Sequence, residues 1–326
     1  MLKTIGIPRA LLYYYYYPCW DTFFSELGFK IILSPQTNQT ILNNGIKRAV
    51  DDLCLPFKVY FGHVEQLIKK EIDYLFVPRL ISLGTKNNVC PKFMGLPDML
   101  RSVFDDLPEL LAPDIDLRKG FFPKRRIAHI IGAKLNRGFF DIEFAFRKAV
   151  KKQKIFEKIE SEGFTPNESM KILDGKELEI SRQNEGLNIA VLGHAYILED
   201  EEQSMGIIKF LRKRRINVKT LEMIDMETRE KSSLYSKKLF WIFNRQVMGA
   251  AYYYLFKAID KVDGIIQVTA FGCGPDSFIN ELVELKGKSK NISILSINLD
   301  EHSGEGGLHT RLEAFIDLLK RKKQIL

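Results

Sequence analysis

The chain has 326 residues, 45% hydrophobic and 28% charged, with four cysteines and a formal net charge of +8. That length suits two domains, and that balance suits a globular enzyme that buries its core without disulfides. It speaks against a disordered chain or a disulfide scaffold, and no uncharged apolar run approaches the ~20 residues that cross a bilayer.

The opening Met1-Leu2-Lys3-Thr4-Ile5 runs into a strand-like stretch with no small-residue cleavage site, so no secretory signal is expected and the expected location is the cytoplasm. Thr4–Ile7 and Lys30–Leu33 read as short strands. Between them, residues 13–27 form an aromatic-rich helical stretch that stops at Gly28, with Pro18 marking a first turn or kink. Residues 37–50 and 59–70 read as helices, 74–77 as a strand ending at Pro78, and 97–104 as a further helix. Such alternation predicts a parallel sheet with helices on both faces.

The middle differs. Residues 127–131 read as a strand. Residues 139–162 place Phe140, Phe144, Ala145, Ala149 and Ile155 among many lysines and read as a long amphipathic helix, broken by Gly163 and Pro166. Residues 168–185 continue as charged helix or linker. Beyond Glu185-Gly186 the βα alternation restarts, with Asn188–Leu192 a strand ending in Gly193-His194. Then come helix 203–214, strand 218–221, helix 238–258, and strands 264–268 and 292–297. The expected fold is therefore α/β, two Rossmann-like lobes with parallel sheets joined by a helical middle. Residues 1–135 form the first lobe, 136–186 the connector and 187–326 the second lobe.

Basic residues cluster at Lys119–Arg126, Arg147–Lys154, Arg212–Arg215 and Lys320–Lys323. Such clusters suit an acidic protein, nucleic acid or a phosphate-bearing ligand such as coenzyme A. Solvated helix faces are the plainer explanation. With no zinc-finger or RNA-binding signature, neither nucleic acid nor membrane is an expected partner. No G-x-x-x-x-G-K-[ST] loop is present, so P-loop ATP hydrolysis is not expected.

Cys54, Cys90 and Cys273 stand in loop-like settings. Cys90 and Cys273 follow predicted strands, the edge where ligands collect in open α/β sheets. Gly272 and Gly274 free the backbone around Cys273 to approach a bulky group, and Cys90-Pro91 is similar to the Cys-Pro step of bacterial ferredoxins. Three thiolates suit an iron–sulfur cluster, and three ligands on a four-iron cubane leave one iron open. The alternatives are cysteines that merely fill space, or zinc completed by His63 or His302. Cys19, in the aromatic helical stretch, reads as core. His194, Asp300, Glu301 and His302 follow predicted strands and are candidate residues of a cleft between the lobes. For residues 300–302 the plain alternative is a strand-to-helix connection whose acids cap the next helix, and for His194 it is a structural hydrogen-bond partner. His63 reads as structural, and Lys58 and Arg9 are candidate neutralisers of cluster or phosphate charge.

At these residues a resemblance enters. Gly6-Ile7-Pro8-Arg9, Pro18-Cys19-Trp20, Cys54-Leu55-Pro56-Phe57-Lys58 with Gly62-His63, Cys90-Pro91 and Gly193-His194 recur in one family. So do Phe271-Gly272-Cys273-Gly274-Pro275-Asp276-Ser277, Asp300–Glu305 and Thr310–Phe315. Together they resemble the acyl-CoA dehydratase activase-related proteins, relatives of the D-component of 2-hydroxyacyl-CoA dehydratases. The resemblance implies Rossmann-like lobes around a cluster held by Cys54, Cys90 and Cys273. It implies an ATP-dependent activator with its own cluster that docks and delivers one electron. In the true dehydratases the electron enters a thioester carbonyl, and the ketyl radical expels a hydroxyl group. The chain departs from the family at Cys19, where relatives usually carry an aromatic residue. True dehydratases pair two related subunits, so a second dehydratase-like subunit or a homodimer is a further expected partner, with a small-molecule substrate. A double-cubane form would need more cysteines than one chain carries. A non-catalytic relay or scaffold, and a zinc-stabilised binding protein, are the other readings.

Overall fold

The computed structural model describes residues 2–85, 87–178, 186–233, 239–258 and 262–325. The chain divides into two compact units. Unit 1 comprises Met1–Asp51, Phe57–Phe156 and Phe240–Ile242; unit 2 comprises Asp52–Pro56, Glu157–Leu239 and Phe243–Leu326.

Unit 1 contains β1 (Thr4–Ile7), α1 (Tyr13–Glu26), β2 (Lys30–Leu33), α2 (Gln39–Arg48), most of α3 (Leu55–Ile68) and β3 (Tyr74–Phe76). It continues through β4 (Arg79–Ser82), α4 (Pro91–Val103), β5 (Glu109–Leu111), β6 (Asp114–Asp116), α5 (Pro123–Lys134) and most of α6 (Phe139–Ser161). Its main sheet is parallel, ordered β2-β1-β3-β5, and β4 pairs with β6 beside it. Parallel strands buried on both faces demand apolar residues throughout, and Ile5, Ile7 and Leu75 are fully inaccessible. The aromatic stretch of α1 is spent on this sheet. Trp20 and Phe24 each meet Phe76 edge-on, with ring centres 5.0 Å apart.

Helices α2 and α3 touch through glycines. A Cβ added at Gly45 would lie 2.0 Å from the Lys58 carbonyl oxygen, and one at Gly62 2.0 Å from that of Ile41. The Gly62-His63 pair therefore serves packing: Gly62 admits α2, and His63 is buried with both ring nitrogens engaged. Its Nδ1 lies 2.8 Å from Ser34 Oγ and its Nε2 3.0 Å from Thr37 Oγ1. Burial, with Arg9 nearby, lowers its pKa to about 3, so the ring is neutral.

Unit 2 holds α7 (Pro166–Leu173), β7 (Asn188–Leu192), α8 (Ala195–Leu198), α9 (Ile207–Lys213), β8 (Asn217–Lys219) and α10 (Met226–Ser233). It continues with nearly all of α11 (Ile242–Phe256), then β9 (Gly264–Ala270), α12 (Gly274–Ser289), β10 (Ser293–Leu299) and α13 (Glu305–Ile325). Its sheet is parallel, ordered β10-β9-β7-β8. All seven residues of β9 are buried. The molecule is thus a mixed α/β protein with two parallel sheets, consistent with two Rossmann-like lobes.

Several sequence expectations need correction. Residues 127–131 lie inside α5, not in a strand. Pro123 occupies its first turn, and the buried Ile127, Ala128, Ile131 and Gly132 follow helical spacing. Helix α4 starts at Pro91 rather than Pro97, and α3 at Leu55 rather than Val59. In both, proline sits in the first turn or is absorbed into the helix. Cys19 is only half-buried. The expected charged stretch runs into residues 179–185, which lie outside the described residues, as does position 238.

Candidate functional site

In each unit the chain order reverses across the sheet next to its first strand, between β1 and β3 in unit 1 and between β7 and β9 in unit 2. The carboxyl ends of strands beside such a reversal form the natural crevice of an open α/β sheet. In unit 1 the crevice is closed by apolar side chains including Pro8, Trp20, Tyr60 and Pro78, leaving about 10 Å³, room for roughly one water.

In unit 2 it is polar. Strand β7 is followed directly by Gly193, where a Cβ would lie 2.5 Å from the Val268 carbonyl oxygen, so only glycine lets the chain pass this closely. The next residue, His194, is the N-cap of α8 and is buried. Its Nε2 lies 3.0 Å from Asp276 Oδ1, and Asn244 Nδ2 donates to the same oxygen. Its ring stacks on Tyr196 at 4.9 Å. Asp276 belongs to the first turn of α12 and is 3% exposed, and its Oδ2 has no hydrogen-bond partner among the described residues.

Cys273 is the N-cap of α12, reached from β9 through Gly272 at φ +76°. Its carbonyl accepts from the Ser277 amide and hydroxyl, both 3.1 Å, which fixes the first turn. Burial pushes its thiol pKa well up, and the charge of Asp276 adds to this, with a smaller push from Cys54. Cys54 also belongs to unit 2, is buried, and immediately precedes α3. A Cβ on Gly272 would stand 3.9 Å from the Asp52 carbonyl oxygen, so the 52–54 segment runs beside the Cys273 turn.

Cys90 belongs to unit 1 and is the N-cap of α4, with Pro91 first in the helix. Its loop is held by Ser82, whose hydroxyl donates to the carbonyls of Gly84 (2.7 Å) and Asn87 (3.0 Å), and by the Ile242 amide on the Asn88 carbonyl (2.8 Å). All three candidate cysteines thus stand directly before a helix, each with proline in its first two positions: Pro56, Pro91 and Pro275. Cys19 lies inside α1 instead. Among the described residues no group of three or more His, Cys, Asp or Glu side chains is assembled for a metal ion.

The 300–302 loop follows β10. Burial would raise the Asp300 carboxyl, but the Ser303 hydroxyl (2.8 Å) and the His302 amide (3.0 Å) outweigh it and hold it low. Asp300 therefore shapes a turn. Glu301 is partly exposed and His302 exposed.

Sequence reasoning passed over a buried acidic group in unit 2. Glu160, Glu199 and Glu222 interact electrostatically with one another, and the first and last also with buried Arg229. Burial raises all three carboxyls, Glu199 to about 8. Glu222 Oε1 and Arg229 Nε have no hydrogen-bond partner among the described residues. The only sequence signal was an acid following the apolar run Ile197-Leu198.

No curated protein matches the chain. A solved structure titled as a periplasmic binding protein/LacI transcriptional regulator from Alkaliphilus metalliredigens QYMF, complexed with D-xylulofuranose, is 12% identical. The match covers 91% of this chain and 96% of that one, at a TM-score of 0.20. The family model described as CoA enzyme activase uncharacterised domain (DUF2229) matches residues 4–224, about two-thirds of the chain. The chain belongs to the CoA enzyme activase uncharacterised domain family.

Proposed function

We propose that this protein is an iron–sulfur redox component of a CoA-enzyme system, related to the D-component of 2-hydroxyacyl-CoA dehydratases. It would hold a cluster, probed as 4Fe-4S with one open iron, on Cys54, Cys90 and Cys273. It would accept an electron from an ATP-dependent activator to reduce or dehydrate an acyl-CoA-type or other small substrate. The observation that carries this reading is the shared setting of the three cysteines, each at a helix N-terminus. There the helix dipole and unpaired amides favour a thiolate and the anionic sulfides of a cluster. Membership of the CoA enzyme activase family supports the substrate class.

The donor set fits a thiophilic group. Cys54 and Cys273 are neighbours within unit 2, and burial keeps the Cys273 thiol protonated until a cation competes for it. When bound, the cluster would supply low-potential one-electron chemistry. The chain's own residues do the positioning. His194 and Asn244 hold the Asp276 carboxylate, and this anchors the first turn of α12 on which Cys273 sits. Zinc completed by His63 is disfavoured, because both nitrogens of that ring are taken by Ser34 and Thr37.

The test is anaerobic purification with iron, sulfide and zinc quantified, and visible spectra before and after dithionite. Iron and sulfide in near-equal amounts, lost in Cys90→Ser and Cys273→Ser and kept in Cys19→Ser, are the expected result. Zinc alone, or a cluster that survives Cys273→Ser, would overturn the reading.

A further inference from the structure

Residues 118–156 carry twelve Lys and Arg against two Asp and Glu, a net +10 where the whole chain has +8. Of the two acids, Glu143 is already engaged, its Oε1 lying 2.5 Å from Arg125 Nε and 2.6 Å from His129 Nε2. These contacts knit α5 to α6, and a stack of His129 on Phe139 at 4.7 Å adds to them. Acids outside the segment pair four of the twelve cations: Asp116 holds Arg118 and Lys119, Glu109 lies 3.5 Å from Lys134 Nζ, and Glu26 lies 2.9 Å from Lys148 Nζ. Lys124, Arg126, Arg147 and Lys151 are exposed on the same helix pair and carry the positive charge of its face.

The same pair exposes large aromatic residues. Phe121 is 95% exposed, Phe122 76% and Phe140 85%, while Phe144 is 56% exposed. Phe122 is the N-cap of α5 and takes a left-handed backbone conformation, φ 54° and ψ 54°, uncommon for a bulky side chain. Folding gains nothing from two adjacent phenyl rings left in water. On α6, Phe140 and Phe144 continue into Arg147 and Lys151 along one exposed helical row, and Lys148 Nζ lies 4.4 Å from the Phe144 ring centre.

We propose that this α5–α6 face docks on an anionic bilayer surface, Phe121 and Phe122 entering the headgroup layer while Lys124, Arg126 and their neighbours meet lipid phosphates. Exposed aromatics combined with surrounding Lys and Arg are the two signals that interfacial binding requires. Lysines outnumber arginines seven to five in the segment. Lysine is depleted from the centres of protein interfaces, whereas lipid headgroups attract both residues alike. A second copy of this chain would set one net positive face against another. Among the described residues no helix is long and apolar enough to cross a membrane, so the contact is at the surface. The proposal departs from the sequence expectation of no membrane partner and does not depend on the cluster.

Flotation of the full chain with phosphatidylcholine vesicles, with and without one-third phosphatidylserine, tests it. The expected result is binding to the anionic vesicles only, weakened by salt. Phe121→Ala with Phe122→Asn, which suits the left-handed turn, should cut partitioning at least about tenfold. Lys124→Ser with Arg126→Ser should cut it by about fivefold per charge. Phe121→Ala alone changes a side chain that contributes nothing to the core, and circular dichroism checks the fold of each variant. Failure to bind anionic vesicles at low salt would overturn the proposal. So would wild-type binding by the Phe variants, or tighter binding to a double-stranded DNA fragment that the Phe changes leave untouched.

Discussion

Glu199→Gln is the perturbation whose size follows most directly from the structure. The carboxyl is buried at the end of α8, and its Oε2 accepts from the Thr165 hydroxyl (3.0 Å) and the Asn167 amide (2.9 Å). Burial lifts its pKa from 4.5 to about 8, against the pull of the Asn167 bond and with help from Glu222. The unfolded chain releases this proton near 4.5 and the folded chain near 8, so between those values the folded state holds one proton more. Stability from this group is complete below 4.5, falls by about 1.4 kcal/mol per pH unit, and is level again above 8, a loss of about 5 kcal/mol in all. Glu160 and Glu222 are raised too and tilt the curve the same way. Glutamine keeps an acceptor for Asn167 and carries no charge. Glu199→Gln should match the wild type near pH 5 and exceed it by several kcal/mol near pH 8, up to that same limit of about 5. Urea unfolding by circular dichroism from pH 5 to 9 reads this out, with hydrogen exchange over α8 and α10 as the local probe. A wild-type stability that rises across that range, or a variant that loses stability as steeply as the wild type, would refute the reasoning.

Two further substitutions test the packing and the site. Gly62→Ala should lower stability by about 1–3 kcal/mol despite alanine's better helix propensity, because a Cβ 2.0 Å from the Ile41 carbonyl forces α2 and α3 apart; an unchanged or higher melting temperature would show that the contact yields freely. Asp276→Asn removes the charge that helps hold the Cys273 thiol protonated, so peptide mapping after alkylation at pH 8 should find Cys273 modified faster than in the wild type. Equal rates would assign the raised pKa to burial alone.

The elements legible in the sequence were those whose apolar pattern is continuous. Strands such as Asn188–Leu192 read as buried runs, and the structure gives β7 those bounds. Residues 127–131 failed because five apolar-rich residues fit a buried strand and a helix equally until the flanks are weighed. Pro123 and the basic residues around it make the helix. Strands β4, β5 and β6 are only three or four residues long, too short for periodicity to register.

The candidate site divides along the same line. His194 and Cys273 were legible because a parallel sheet presents its strand ends to one crevice, and the chain marks those ends with glycine. The partners that give these residues a setting were not, because each comes from a distant element. Asn244 reaches Asp276 from α11, and Glu160, Glu199, Glu222 and Arg229 converge from the end of α6, the end of α8, the segment after β8 and α10. Local pattern records which face of an element is apolar, and it cannot record which buried acid will face which. The asymmetry has a chemical sense. A thiol at a helix N-terminus needs only its own turn, so Cys-Pro and Cys-Gly-Pro announce it. A carboxyl raised by burial needs neighbours from elsewhere to withhold water, and its pKa becomes a property of the fold rather than of its sequence neighbourhood.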